Sequence, residues 1–321
     1  MLHKFLYVLL GIAGLALAGA SFFIGPYYFR VQQVPADSTA GYFADYYLYV
    51  APSARSRAES GKPVTILVQP NNSGTNSDDP GVHQSDAWWT GFERKNIADD
   101  LEVVLLVPAF IRPGVDWHIY THALDRDVLT TTRRDLSRLD LQLIAIIDNA
   151  RTRLQEKGIR TDEKVLIQGF SASAMFANRF TALHPKRVKA ATAGAPGGWA
   201  IAPLSNWSGK LLPYPIGVAD LEELTGAPFD SIAYRSIPQL IYMGNLDDND
   251  AVDFRDGWDM EPADLVNQLF GTDPASRWEV SRALYQQSGA NVKFLIIEGV
   301  GHDRKALQDH STQFFKSVLK E

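Results

Sequence analysis

The 321-residue chain reads as an α/β protein, a doubly wound and mostly parallel sheet with helices packed against it. Apolar runs of strand length alternate with segments of helical period along most of its length. Several runs, at 64–69, 103–108 and 165–169, are rich in Val, Ile and Leu, as expected of strands covered on both faces. The last of these passes through one serine directly into an alanine-rich helical segment. Apolar residues make up 45% of the chain, enough to fill one large core of this kind.

Taken in order, Lys4 precedes an uncharged stretch that runs to Arg30. Residues 5–24 are apolar and about as long as a bilayer-spanning helix. Ala16-Leu17-Ala18 and Ala18-Gly19-Ala20 also fit a signal-peptidase site. Residues 1–30 are therefore expected to be a signal peptide or a transmembrane anchor. The apolar terminus that cleavage would leave favours the anchor slightly. Either outcome places the remainder outside the cytoplasm: membrane-anchored, or secreted or periplasmic if the segment is cleaved. Residues 31–42, with Pro35, Asp37, Ser38 and Gly41, read as a linker, and 43–321 as the folded domain.

Strands are expected at 46–50, 64–69, 103–108, 165–169, 188–192, 239–243 and 292–297. Helices are expected at 127–157, 172–183, 262–270, 275–287 and 305–320. The face made by Leu141, Leu143, Ile144, Ile146, Ile147 and Leu154 is wide enough to cover a sheet. Residues 197–237, crowded with Pro and Gly, read as a small cap-like insertion or a plain surface excursion.

Charge and composition exclude several function classes. The net charge is −6 with no basic run, which argues against nucleic-acid binding. The chain has no cysteine, so disulfides, thiolate metal sites and a cysteine nucleophile are excluded.

The segment Gly169-Phe170-Ser171-Ala172-Ser173 carries the strongest chemical signal. A serine on a tight strand-to-helix turn presents its hydroxyl at the end of the sheet, beside the N–H groups of a helix N-terminus. Small residues are needed two before and two after it, and Gly169 and Ser173 meet that need. Ser173 is a poor rival nucleophile because Met175 is too bulky for its turn. The bland alternative is a buried strand followed by a serine-capped helix.

A serine hydroxyl needs a base, and the base needs an acid to orient it. His302 follows the strand at 292–297 and the turn Gly299-Val300-Gly301, and is the candidate base. The acid should follow the strand at 239–243, where Gly244-Asn245-Leu246-Asp247-Asp248-Asn249-Asp250 offers three aspartates. Asp247, three after the glycine, is favoured over Asp250. An acidic calcium loop is the minor alternative, without EF-hand spacing. For the oxyanion hole, Ala172 supplies one N–H, and Asn71 or Asn72 the other, since Pro70 has none.

Weaker features are His118 and His122, four apart but lacking a third ligand. His118 reads as a polar wall of the site or plain surface, and Trp199 as a pocket lining or an ordinary core aromatic. No metal or cofactor is required by this chemistry.

With these motifs, the chain resembles the α/β-hydrolase superfamily. Within it, the chain is similar to secreted esterases of the polyhydroxybutyrate depolymerase and feruloyl esterase type. Tyr46-Tyr47-Leu48-Tyr49-Val50-Ala51-Pro52 and the helix ending at His184-Pro185 add to the likeness. Two departures stand out: Ser173 replaces the elbow glycine, and Pro70-Asn71 stands where many members have His-Gly. The resemblance implies hydrolysis of a small or polymeric ester through an acyl-enzyme, with Ser171, Asp247 and His302 at the matching places. A peptidase or acyltransferase with the same residues, and a non-catalytic binding module on the same scaffold, are the rival expectations.

Overall fold

A computed structural model describes residues 25–72, 74–253 and 257–320. Eight strands form one sheet in the order β1-β2-β4-β3-β5-β6-β9-β10. These are β1 (Val31–Val34), β2 (Tyr46–Val50), β3 (Ile66–Val68), β4 (Val104–Pro108), β5 (Val165–Phe170), β6 (Val188–Gly194), β9 (Gln239–Gly244) and β10 (Val292–Ile297). A small hairpin, β7 (Asn206–Trp207) and β8 (Lys210–Leu211), stands apart. Strands β1 and β2 pair antiparallel, as do β2 and β4, and every other pairing in the large sheet is parallel. All seven expected strands are present. Ile66, Leu67, Val68, Leu166 and Ile167 are fully buried, as central strands covered on both faces should be.

The helices are α1 (Pro52–Glu59), α2 (Pro80–Asp100), α3 (Arg126–Thr130), α4 (Leu139–Glu156), α5 (Ala172–Leu183), α6 (Leu221–Thr225), α7 (Ser231–Arg235), α8 (Met260–Phe270), α9 (Pro274–Ser288) and α10 (Arg304–Val318). Helix α4 buries Leu143, Ile146, Ile147 and Leu154, from the face its periodicity marks.

Three expectations change. Residues 31–42 are not a linker: 31–34 form edge strand β1, and Tyr42 is buried, its N–H bonded to the Asp37 carbonyl. The helix expected over 127–157 is two, α3 and α4, because Arg138 takes a left-handed conformation between them. Helix α2 has no counterpart among the expected helices. Its buried residues are His83, Ala87, Gly91, Arg94, Ile97 and Ala98, a helical spacing written in small and polar residues rather than large apolar ones.

The 197–237 stretch holds the hairpin, α6 and α7. It is anchored by buried Trp199, Ile201, Tyr214 and Ile216, so much of it is core rather than a loose flap. No helix among the described residues is long and apolar enough to cross a membrane. The apolar segment 5–24 lies outside them.

Candidate active site

The parallel strands deliver three loops to one end of the sheet. β5 and β6 run parallel, as do β6 and β9, and β9 and β10 pair with Gly244 opposite Ile297. Ser171, Asp247 and His302 all follow C-terminal strand ends, the end where α/β sheets place their sites.

Ser171 sits between β5 and α5 with φ 59° and ψ −126°, a strained conformation for a residue with a side chain. Its N–H is bonded to the Gly194 carbonyl, and its own carbonyl accepts the N–H groups of Ala174 and Met175. The neighbours explain the strain's persistence. A Cβ at Gly169 would overlap the backbone of Ser173 and Ala174, so only glycine lets strand and helix approach this closely. Ser173 is buried, and its hydroxyl accepts from Phe170 N–H at 3.0 Å and donates to Phe170 C=O at 2.9 Å. A serine thus serves at the usual glycine position by tying the turn together.

The loops that carry His302 and Asp247 are tied to each other. Leu246 N–H donates to Val300 C=O at 2.9 Å, and Gly299 N–H donates to the Asn245 side chain at 2.7 Å. A Cβ on Gly244 would overlap the Val300 carbonyl. This brings the His302 ring to Asp247, with Nδ1 2.9 Å from Oδ2 and 3.1 Å from Oδ1. Asp247 is buried, and the His302 ring lies 4.8 Å from that of Phe170, centre to centre. Ser171 and His302 line one cleft of about 780 Å³, but no hydrogen bond joins them among the described residues. Such bonds are often loose before substrate arrives.

The other aspartates face elsewhere. Asp250 is buried and bound to Arg277 at 2.7 Å, away from His302, and Asp248 is exposed. Asp247 and Asp250 are thus divided between separate partners rather than converging as calcium ligands would.

In the loop after β3, Asn71 and Asn72 play different parts. Asn71 is fully buried: its amide donates to Phe110 C=O and its oxygen accepts from Phe110 N–H, each at 3.0 Å. Its Nδ2 also lies 3.2 Å from His122 Nε2. This clamps the loop to the segment after β4. Asn72 lines the cleft. Nearby on α2, burial pushes the Asp86 carboxyl up to about 6, and hydrogen bonds from the Asn71 side chain and the Asn72 N–H oppose that rise. His122 is held neutral by complete burial, its pKa pulled down to about 3.

Two suggested binding residues stand outside the cleft. Trp199 is core: it stacks on Phe270 at 4.2 Å and donates to Ile216 C=O at 2.9 Å. His118 is exposed beside a neighbouring hollow with Asp127 and Trp258. Sequence reasoning missed Asp86, Arg94 and Arg112, which line the cleft. Five of the lining residues, 86, 89, 90, 93 and 94, share a stripe of α2, a helix absent from the expected elements.

No family model matches the chain, and no curated protein matches it in sequence. Solved structures do match. Poly(aspartic acid) hydrolase-1 from Sphingomonas sp. KT-1 aligns over 88% of this chain and 97% of its own, with 18% identity and a TM-score of 0.59. LpqC, a poly(3-hydroxybutyrate) depolymerase from Bordetella parapertussis, aligns over 92% and 93%, with 18% identity and a TM-score of 0.56. A ferulic acid esterase aligns over 90% and 96%, with 11% identity and a TM-score of 0.53. At these identities the likeness speaks to architecture, and the architecture is the α/β-hydrolase fold.

Proposed function

We propose that this protein is a serine hydrolase that cleaves carboxylic esters through an acyl-enzyme. One observation carries the reading. A strained serine at a helix N-terminus opens into the same cleft as a histidine whose far nitrogen is held by a buried aspartate. In the proposed reaction, Asp247 accepts the Nδ1–H of His302, which leaves Nε2 free to take the Ser171 proton. Ser171 Oγ attacks the ester carbonyl. His302 then protonates the departing alcohol, and a water deprotonated by His302 releases the acid. The Ala172 N–H and a second donor from the loop that carries Asn71 and Asn72 are assigned to the oxyanion, with the Asn71 side chain positioning that loop. No cofactor takes part. The names of the solved neighbours, a hydrolase, a depolymerase and an esterase, accord with this chemistry. The apolar segment 5–24 supports export, with the domain held at a membrane or released by cleavage.

A fluorophosphonate probe tests the mechanism. Labelling of the parent is expected, with loss in Ser171→Ala and His302→Ala and retention in Ser173→Ala. A folded parent that resists the probe would overturn the reading and favour a binding module.

A further inference from the structure

Among the cleft residues on α2, Arg94 is electrostatically unusual. It is 5% exposed yet lines the cleft. Its Nε donates to Gln69 Oε1 at 3.4 Å and its Nη1 to Gln308 Oε1 at 3.2 Å, both neutral acceptors. No carboxylate among the described residues lies within ion-pairing distance of it. Arg277, buried as deeply, is neutralised by Asp250 at 2.7 Å, and Arg304, in the same cleft, is paired with Glu93. Burying a guanidinium without a counter-charge is costly, and a fold selected for stability alone would not keep one. Burial and the nearby Arg304 lower its pKa to about 10, so it remains cationic at neutral pH.

The remaining donors of Arg94 suit an anion. Its Nη2 makes no hydrogen bond with any described residue, and a guanidinium presents parallel N–H groups in the geometry a carboxylate accepts. Of the carboxylates on this wall, Glu93 is held by Arg304.

We propose that Arg94 binds a carboxylate of the substrate, so that the preferred ester bears a free acid group on the part lying against α2. This rests on the serine-esterase reading for its chemistry, but the anion site stands on its own geometry.

Two measurements test it. The first compares kcat/KM for 4-nitrophenyl hydrogen glutarate with that for 4-nitrophenyl glutaramate, which replaces the acid by an amide of the same shape. The parent is expected to prefer the acid by about tenfold or more. Arg94→Gln should bring the ratio near unity, chiefly through KM. The second follows glutarate binding by calorimetry in the Ser171→Ala background, which needs no turnover. Arg94→Gln should weaken that binding about tenfold. If Arg94→Gln does not fold, Arg94→Lys keeps the charge but loses the fork, and should bind glutarate more weakly than the parent. Equal rates on both esters, or glutarate binding indifferent to either Arg94 substitution, would overturn the proposal. Glutarate held through Arg94 in a protein that cleaves neither ester would overturn the esterase reading and leave the anion site standing.

Discussion

Asp86 shows what one side chain can impose on a cleft. Folded, its carboxyl is raised from 3.8 to about 6, burial being the largest cause. The folded state therefore holds this proton more tightly than the unfolded chain, and stability falls as pH rises from about 4 to about 6. Above that window the charge is present and partly buried, a standing cost at neutral pH. Asp86→Asn removes it. The variant should melt a few degrees above the parent at pH 7, and the gap should close as pH is lowered to about 4. Melting curves across that range decide, and a gap independent of pH would mean that Asp86 does not titrate as described. The same scale explains Ser173. Its hydroxyl, bonded both ways to Phe170, substitutes a tie for the flexibility a glycine would bring.

Helix ends and strand ends do the positioning. Asp303 follows His302 and caps α10, accepting the N–H of Lys305 at 2.8 Å and of Ala306 at 3.2 Å. The cap fixes both the start of α10 and the exit angle of the loop that carries His302. Asp303→Ala should cost about 1 kcal/mol of stability. On the proposed reading it should also lower kcat more than KM on an ester substrate, because the cap holds the loop that carries His302. Chemical denaturation and steady-state kinetics check the two effects, and an unchanged kcat would assign Asp303 to helix stability alone. At Gly169 and Gly244 the elements meet so closely that backbone occupies the place of a side chain.

For the whole molecule, the N-terminal boundary matters most. Tyr27 is fully buried and packs against Tyr49, Trp88 and Phe92, its hydroxyl seated where a Cβ on Gly91 would lie. The domain thus begins before the strand at 31–34. A protein starting at residue 31 should be less stable than one starting at residue 25 by about 2–4 kcal/mol, through the missing tyrosine. Equal melting temperatures would show that Tyr27 adds nothing to the core. This boundary lies beside the functional region, because Trp88 neighbours Trp89 at the cleft wall.

The sequence by itself determined seven of the eight strands of the sheet. Its seven apolar strands and the strand-serine-helix turn are written in local periodicity and in the small residues the turn demands, and both signals survive without knowledge of the fold. Position after late strands also singled out Asp247 and His302. Tertiary structure decided what depends on partners far away in sequence. It gave His302 to Asp247 and Arg277 to Asp250, a division no spacing within one acidic loop could specify. It moved Trp199 from the cleft into the core, where a phenylalanine from α8 stacks on it. It made α2 a helix whose buried face is His83, Ala87, Gly91 and Arg94, because the space left by Tyr27 and the cleft admits only small or polar groups. Hydrophobic periodicity records burial in apolar surroundings, so a helix that lines a polar cleft is the element it misses.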